Sequence, residues 1–235
     1  MMATRQLIIA IDGPSGAGKG TIARTIACWL GYRHIDTGAM YRAVAWKALR
    51  EGLNLADAAA IARLARDATF GLEGTVTIDG EDVTDAIRTP EIDQAAAIVA
   101  RHAPVRKALV ARQQRYGEQG GVVMEGRDIG TVVFPSADVK LYLDASPDER
   151  ARRRAGDSAH ALGRRPGPTD AVARALEERD ESDRTRAVSP LMVAPDAVYI
   201  DTTGVAIADV TRQVETLVKQ ALARAVEPQE TDRHR

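Results

Sequence analysis

Positions 13 to 21 read Gly13-Pro14-Ser15-Gly16-Ala17-Gly18-Lys19-Gly20-Thr21, which supplies backbone amides that glycine leaves approachable, one ammonium and one hydroxyl. The apolar run Leu7 to Ile11 precedes them and a helical pattern through Leu30 follows, so the stretch is a turn from a buried strand into a helix. That context suits a loop that cradles a triphosphate on its N–H groups and on the helix N-terminus. A Ser or Thr usually follows the Lys directly. Here Gly20 intervenes, and Thr21 offers its hydroxyl to Mg²⁺.

A phosphate loop does not say what receives the phosphate, and further groups of residues speak to that. Asp36-Thr37-Gly38-Ala39-Met40-Tyr41-Arg42 follows a short strand, with Thr37 expected to cap a helix and Arg42 just beyond it, so that an anion fits between them. Glu125-Gly126-Arg127-Asp128 ends another strand, where Arg127 suits a phosphate and Asp128 suits a hydrogen-bond donor. Arg179, Asp183 and Arg186 stand at i, i+4 and i+7, a spacing that puts all three on one face of a helix. Arg150, Arg152, Arg153, Arg154, Arg164 and Arg165 surround a span rich in Gly, Pro and Arg, which reads as a lid over about 150–168 closing on the triphosphate.

The elements that position these residues are legible in outline. Strands are expected at Leu7–Ile11, around His34–Ile35, and over Val122–Glu125, Val139–Asp144 and Ala197–Asp201, with helices between them. Helices are expected from Ala39 to about Glu51, Leu55 to Ala68, Pro90 after a Thr89 cap, Pro104 onward, Ser146 onward, Thr169 to about Arg184, and Ala208 to Val226. Short β-like pieces at Phe70–Glu73, Thr75–Ile78 and Asp82–Val83, with turns at Gly74 and Asp79-Gly80, interrupt the alternation. The fold class expected is α/β, a doubly wound parallel five-stranded sheet with a small α+β insertion and a helical lid. The core would comprise 1–69 and 102–226, the insertion 70–101, and the charged residues 227–235 a disordered tail.

Together these motifs carry a family resemblance. Gly-Lys-Gly-Thr is how the loop reads in nucleoside monophosphate kinases, and Asp-Thr-Gly-Ala-Met-Tyr-Arg, Gly-Arg-Asp-Ile-Gly-Thr-Val-Val-Phe-Pro and Arg-Ala-Val-Ser-Pro-Leu are specific in combination. From Ile8 to about Val218 the chain resembles the bacterial cytidylate kinases, which phosphorylate CMP and dCMP with ATP. The resemblance implies that Arg42, Arg127 and Arg186 hold the acceptor phosphate, that Arg179 and Asp183 lie near the sugar, and that Arg106 and Asp128 read the base. Cytosine offers acceptors at O2 and N3 and a donor at N4, which suit an Arg and a carboxylate; uracil would face Asp128 with a carbonyl. Thr37, at the start of the helix that carries Arg42, is assigned to the same acceptor site. Lys19 would follow the transferring phosphoryl, Thr21 would hold Mg²⁺, and Glu125, where an Asp is common, would hold it through water. Ala97 stands where the family often has a base-reading Ser.

The rival readings are a kinase for UMP or another small acceptor, and a regulator that binds ATP without turning it over. No Asn-Lys-x-Asp guanine signature is present, which disfavours a GTPase. A net charge of -1 over 235 residues argues against nucleic-acid binding by bulk charge. Cys28, the single cysteine, excludes an internal disulfide and is assigned to helix packing. With no run of membrane-spanning length and the first strand starting soon after Arg5, the protein is expected to be cytoplasmic, to make no membrane contact and to be a monomer.

Overall fold

The computed structural model describes residues 6–156 and 169–226. Strands β1 (Ile8–Asp12), β2 (Arg33–Asp36), β6 (Val122–Gly126), β7 (Val139–Asp144) and β8 (Val198–Asp201) form a parallel sheet in the order β2-β6-β1-β7-β8. Along β1 the side chains alternate between two apolar layers. Ile9 and Ile11 face α1 (Lys19–Leu30) and α8 (Ile207–Val226), while Ile8 and Ala10 face the layer of Val122, Met124, Ile129 and Phe134. Burial on both faces is why these strands read as continuous apolar runs.

Between β2 and β6 the chain builds α2 (Thr37–Arg50), α3 (Ala58–Asp67), α4 (Pro90–Val99) and α5 (Ala103–Gly117) around a second core that includes Met40, Val44, Ile61, Val99 and Leu109. Strands β3 (Phe70–Gly71), β4 (Thr77–Ile78) and β5 (Glu81–Asp82) form a three-stranded antiparallel sheet here. Asp79 and Gly80, both with positive φ, turn β4 into β5. Thr89 caps α4 by accepting from the Ile92 amide. After β7, Ser146 accepts from the Glu149 amide at the start of α6 (Pro147–Ala155), and α7 (Thr169–Thr185) leads back to β8.

Four local expectations are corrected. The cap of α2 is Asp36, whose Oδ1 accepts from the Ala39 amide at 3.1 Å; Thr37 is the first helical residue, and its hydroxyl donates instead to the Glu125 carbonyl at 2.8 Å. The helix expected from Leu55 begins only at Ala58, because Asp57 takes the Ala59 and Ala60 amides. Arg186 lies one residue beyond α7, so it reaches the same site as Asp183 from the following turn rather than from a shared helix face. Cys28 is exposed, since Ile22, Ala23, Ile26 and Ala27 supply the buried stripe of α1. Arg164, Arg165 and the tail 227–235 lie outside the described residues.

Candidate active site

The carboxyl ends of β1, β2 and β6 open onto one cleft of about 680 Å³. In a parallel sheet these ends converge, which brings residues far apart in sequence onto a common wall. From β1 the chain enters the glycine-rich loop, and Gly18 stands at the N-cap of α1 with no side chain capping it. The first amides of α1 are therefore free of a side-chain competitor at the positive end of the helix dipole. Lys19 is buried at that point and donates from Nζ to the Pro14 carbonyl at 2.6 Å. Burial, helped by the nearby Arg127 guanidinium, lowers its pKa to about 7. An anion in the loop would reverse that effect by favouring the ammonium.

Thr21 and Glu125 line the same stretch of cleft. Glu125 faces α1 so closely that a Cβ on Gly20 would lie 3.1 Å from its Oε1, and that oxygen also pairs with His34 Nε2 at 2.9 Å. A hydroxyl and a carboxylate are hard oxygen donors. They suit Mg²⁺, which keeps most of its waters and takes few protein ligands. Among the described residues there is no larger cluster of His, Cys, Asp and Glu that would hold a metal by itself.

Opposite the loop stands a dense arginine and carboxylate constellation. Arg42 donates from Nη2 to Asp36 at 2.8 Å; burial pushes the Asp36 carboxyl up, but Arg42, His34 and the Ala39 amide outweigh it and hold the group at about 2. Arg127 donates from Nε to Asp183 at 3.0 Å, and Arg186 donates to the other Asp183 oxygen at 3.1 Å. Burial and the like charge of Arg106 pull Arg186 below the ordinary arginine range. Arg106, only 2% exposed, pairs with Asp128 and lies over the Tyr41 ring at 5.4 Å. Arg179 reaches out of this group to Asp93 on α4 at 3.1 Å.

Several donors in this group are left without a hydrogen bond. Tyr41 Oη, Arg42 Nε, Arg106 Nε and Arg186 Nη2 are buried and make no hydrogen bond, and all four residues line the cleft. Burying an unsatisfied polar group costs about 1–3 kcal/mol each. A cluster of them facing one cavity fits a site completed by a ligand rich in acceptor atoms.

Of the residues singled out from sequence, those from Ser15 to Thr21 and Thr37, Arg42, Arg106, Glu125, Arg127, Asp128, Arg179, Asp183 and Arg186 line one cleft, and Gly13 and Pro14 precede that lining in the loop. Arg150 differs from the expectation for a lid residue. It is buried, pairs with Asp180, and donates to the Ala145 carbonyl at 3.0 Å and the Ser15 carbonyl at 3.3 Å, so it fastens α6 beneath the phosphate loop. Arg152 and Arg153 pair with Glu149, Arg153 also holds Thr202, and Arg154 pairs with Asp93. Sequence reading missed Asp12, Asp36 and Tyr41. The signal for Asp12 was an acid ending an otherwise apolar strand; Asp36 and Tyr41 lay inside a motif already noticed.

A family model described as cytidylate kinase matches residues 9–220. The chain belongs to the cytidylate kinase family. Within it, the cytidylate kinase of Solibacter usitatus (strain Ellin6076) is 50% identical over 216 residues, covering 92% of this chain and 93% of that one. The cytidylate kinase of Desulfitobacterium hafniense (strain Y51) is 48% identical, covering 91% and 93%. A bifunctional pantoate ligase/cytidylate kinase of Trichormus variabilis is 47% identical over 94% of this chain, which spans 42% of that longer protein. More remotely, the structure resembles a shikimate kinase from Acinetobacter baumannii, with a TM-score of 0.47 and 16% identity over 92% of this chain and 95% of that one. Among the described residues no helix is long and apolar enough to cross a membrane.

Proposed function

We infer that this protein transfers the γ-phosphoryl group of ATP to the 5′-phosphate of CMP or dCMP, giving CDP or dCDP and ADP. The observation that carries the reading is the convergence of buried Arg and Tyr donors that make no hydrogen bond, in the same cleft as the phosphate loop, around the Arg106–Asp128 pair. An ATP sensor has no use for a second anion site of this kind. Family membership gives the reaction class, and the residue roles that follow are our own reading.

The backbone N–H groups of Ser15, Gly16, Ala17 and Gly18 in the loop hold the β-phosphate. Lys19 follows the γ-phosphoryl as charge spreads over its oxygens; Thr21, and Glu125 through water, would hold Mg²⁺, which would offset phosphate charge when bound. Arg42, Arg127 and Arg186, with Thr37 at the α2 N-terminus, neutralise the acceptor phosphate. That phosphate is already an anionic nucleophile at neutral pH, so no side chain has to remove a proton in advance; positioning and charge stabilisation carry the catalysis. Arg179 and Asp183 face the sugar hydroxyls. Arg106 donates to cytosine O2 or N3, and Asp128 accepts from N4. From α4 and its C-cap the cleft is lined by Ala96, Ala97 and Ala100, whose side chains carry no polar atom, so base discrimination falls on Arg106 and Asp128.

Residues 1–69 and 102–226 serve as the kinase core and 70–101 as the acceptor-binding insertion; of the lid expected at about 150–168, residues 157–168 lie outside the described residues. The protein works as a cytoplasmic monomer without nucleic acid or membrane. ADP formation from Mg-ATP, measured with CMP, dCMP, UMP, dTMP and AMP against a no-acceptor control, tests the reading. The expected result is turnover with CMP and dCMP at least about a hundredfold above UMP in kcat/KM. Equal rates with UMP would sink the Asp128 role, and no acceptor-dependent turnover would favour an ATP sensor.

A further inference from the structure

Asp12 closes β1 and directly precedes Gly13 of the phosphate loop, yet its side chain serves the neighbouring strand's exit. Its Oδ1 accepts from the Ile129 amide at 2.8 Å and its Oδ2 from the Gly130 amide at 2.7 Å. These are the first two N–H groups of a π-helical turn over Ile129–Val133, which has no other side-chain cap. At the start of the same turn the Asp128 carbonyl accepts from Val132 and Val133 at 2.9 and 3.1 Å. The backbone around Asp128 is therefore fixed from both sides. The corner Arg127-Asp128 projects from it, one side chain to Asp183 and the other to Arg106.

The surroundings leave the corner little slack. Asp12 is 4% exposed, and a Cβ on Gly130 would come within 3.4 Å of Asp12 Oδ2 and 3.2 Å of Lys140 Cδ. Lys140 itself is held by Asp196 at 2.8 Å and by the Pro135 carbonyl, so its charge is engaged elsewhere. An apolar residue at position 12 would leave two buried amides unpaired.

We propose that Asp12 is a positioning residue for the acceptor: by holding the Ile129 and Gly130 amides it fixes the Arg127-Asp128 corner in its nucleotide-binding geometry before CMP arrives. This rests on the reading that the corner contacts the acceptor. Its place in sequence suggests the opposite, a support for the phosphate loop, and the two roles predict defects on opposite sides of the reaction.

The test compares Asp12→Asn and Asp12→Ser with the parent protein in direct calorimetric binding of CMP and of Mg-ATP, together with steady-state KM and kcat for CMP and UMP. Asparagine keeps one acceptor and sets an amide N–H₂ against the second backbone N–H. CMP binding is expected to weaken by about tenfold or more, ATP binding to change by less than about twofold, and the preference for CMP over UMP to fall. Parallel weakening of ATP and CMP, weakening of ATP alone, or unchanged CMP binding in a folded variant would overturn the proposal. If neither variant folds, amide exchange in the ligand-free parent decides: the Ile129 and Gly130 amides are expected to be protected, and exchange at the rate of an open loop would overturn it. Asp128→Asn is measured alongside. An unchanged CMP-to-UMP preference in that variant removes the base-reading role of Asp128 while leaving the Asp12 binding comparison intact, so the two failures are told apart.

Discussion

Arg127 is held by Asp183 at 3.0 Å and by the Gly126 carbonyl at 3.2 Å, and its guanidinium is near enough to Lys19 to help depress the lysine's pKa. That places one cation between the phosphate loop and the arginine cluster, where the proposed transfer would concentrate charge. Arg127→Ala is expected to lower kcat by more than about tenfold at saturating substrates. Steady-state ADP release checks this, and near-normal turnover would remove Arg127 from the mechanism. Asp12 makes a second prediction at this scale. Burial raises its carboxyl from 3.8 to about 6, against the lowering effect of its two backbone hydrogen bonds; Asp128 adds to the rise and Lys19 opposes it. Between those values the native state binds a proton that the unfolded state has released. The stability from this group is complete below pH 3.8 and is lost as pH rises through about 6, by about 3 kcal/mol in all. Denaturant melts of the ligand-free protein across pH 4 to 7 are expected to show this fall, and Asp12→Asn melts are expected to lack it.

The turn from β1 into α1 is the element on which the donor site depends, and two of its glycines answer to different constraints. At Gly13, φ is +141° and a Cβ would sit 1.9 Å from the Leu143 carbonyl oxygen on β7, a backbone atom in the middle of the sheet. Gly13→Ala is therefore expected to cost more than about 3 kcal/mol, seen as a large drop in denaturation midpoint. At Gly20 the nearest obstacle is Glu125 Oε1 at 3.1 Å, the tip of a side chain. Alanine there gains up to about 1 kcal/mol of helix propensity, offsetting the displacement of Glu125. Gly20→Ala is expected to fold with stability within about 1 kcal/mol of the parent, and to need more Mg²⁺ for half-maximal activity. An unchanged Mg²⁺ titration would argue against a role for Glu125 at the metal. The same loop is braced from beneath by Arg150, whose buried pairing with Asp180 ties α6 and α7 to it.

At the scale of the molecule, the cleft is lined by residues of α2, α4 and α5 and by those of the loop, α1, α6, α7, α8 and the ends of β6 and β8. Asp93 joins α4 to α6 and α7 by accepting from Arg154 and Arg179. Arg42, Arg127, Arg179 and Arg186 are among the ten arginines of the described residues that line one cavity, so an anion there relieves repulsion as well as making contacts. CMP at about a hundred times its Kd is expected to stabilise the protein by about 2.7 kcal/mol, a rise of roughly 5–11 °C in Tm at this size. Thermal melts check this. A rise with ATP but none with CMP would mean that the arginine cluster is not an acceptor site.

The sequence by itself determined the parallel α/β order, the phosphate loop and the family, because apolar periodicity, glycine placement and contiguous motifs are local properties of the chain. Buried strands at Val122–Gly126 and Val139–Asp144 read as such because both their faces are covered. Which partner each charge takes was decided only by the tertiary structure. Thr37 looked like a cap until β6 placed the Glu125 carbonyl beside it, and Arg150 looked like a lid residue until α7 placed Asp180 against it. Asp12 likewise finds Ile129 and Gly130, 117 and 118 residues away, only because β6 lies next to β1. A charged side chain reaches several ångströms and can pair across any strand boundary. Its role is fixed by which elements the sheet makes neighbours, and no local pattern in the chain encodes that.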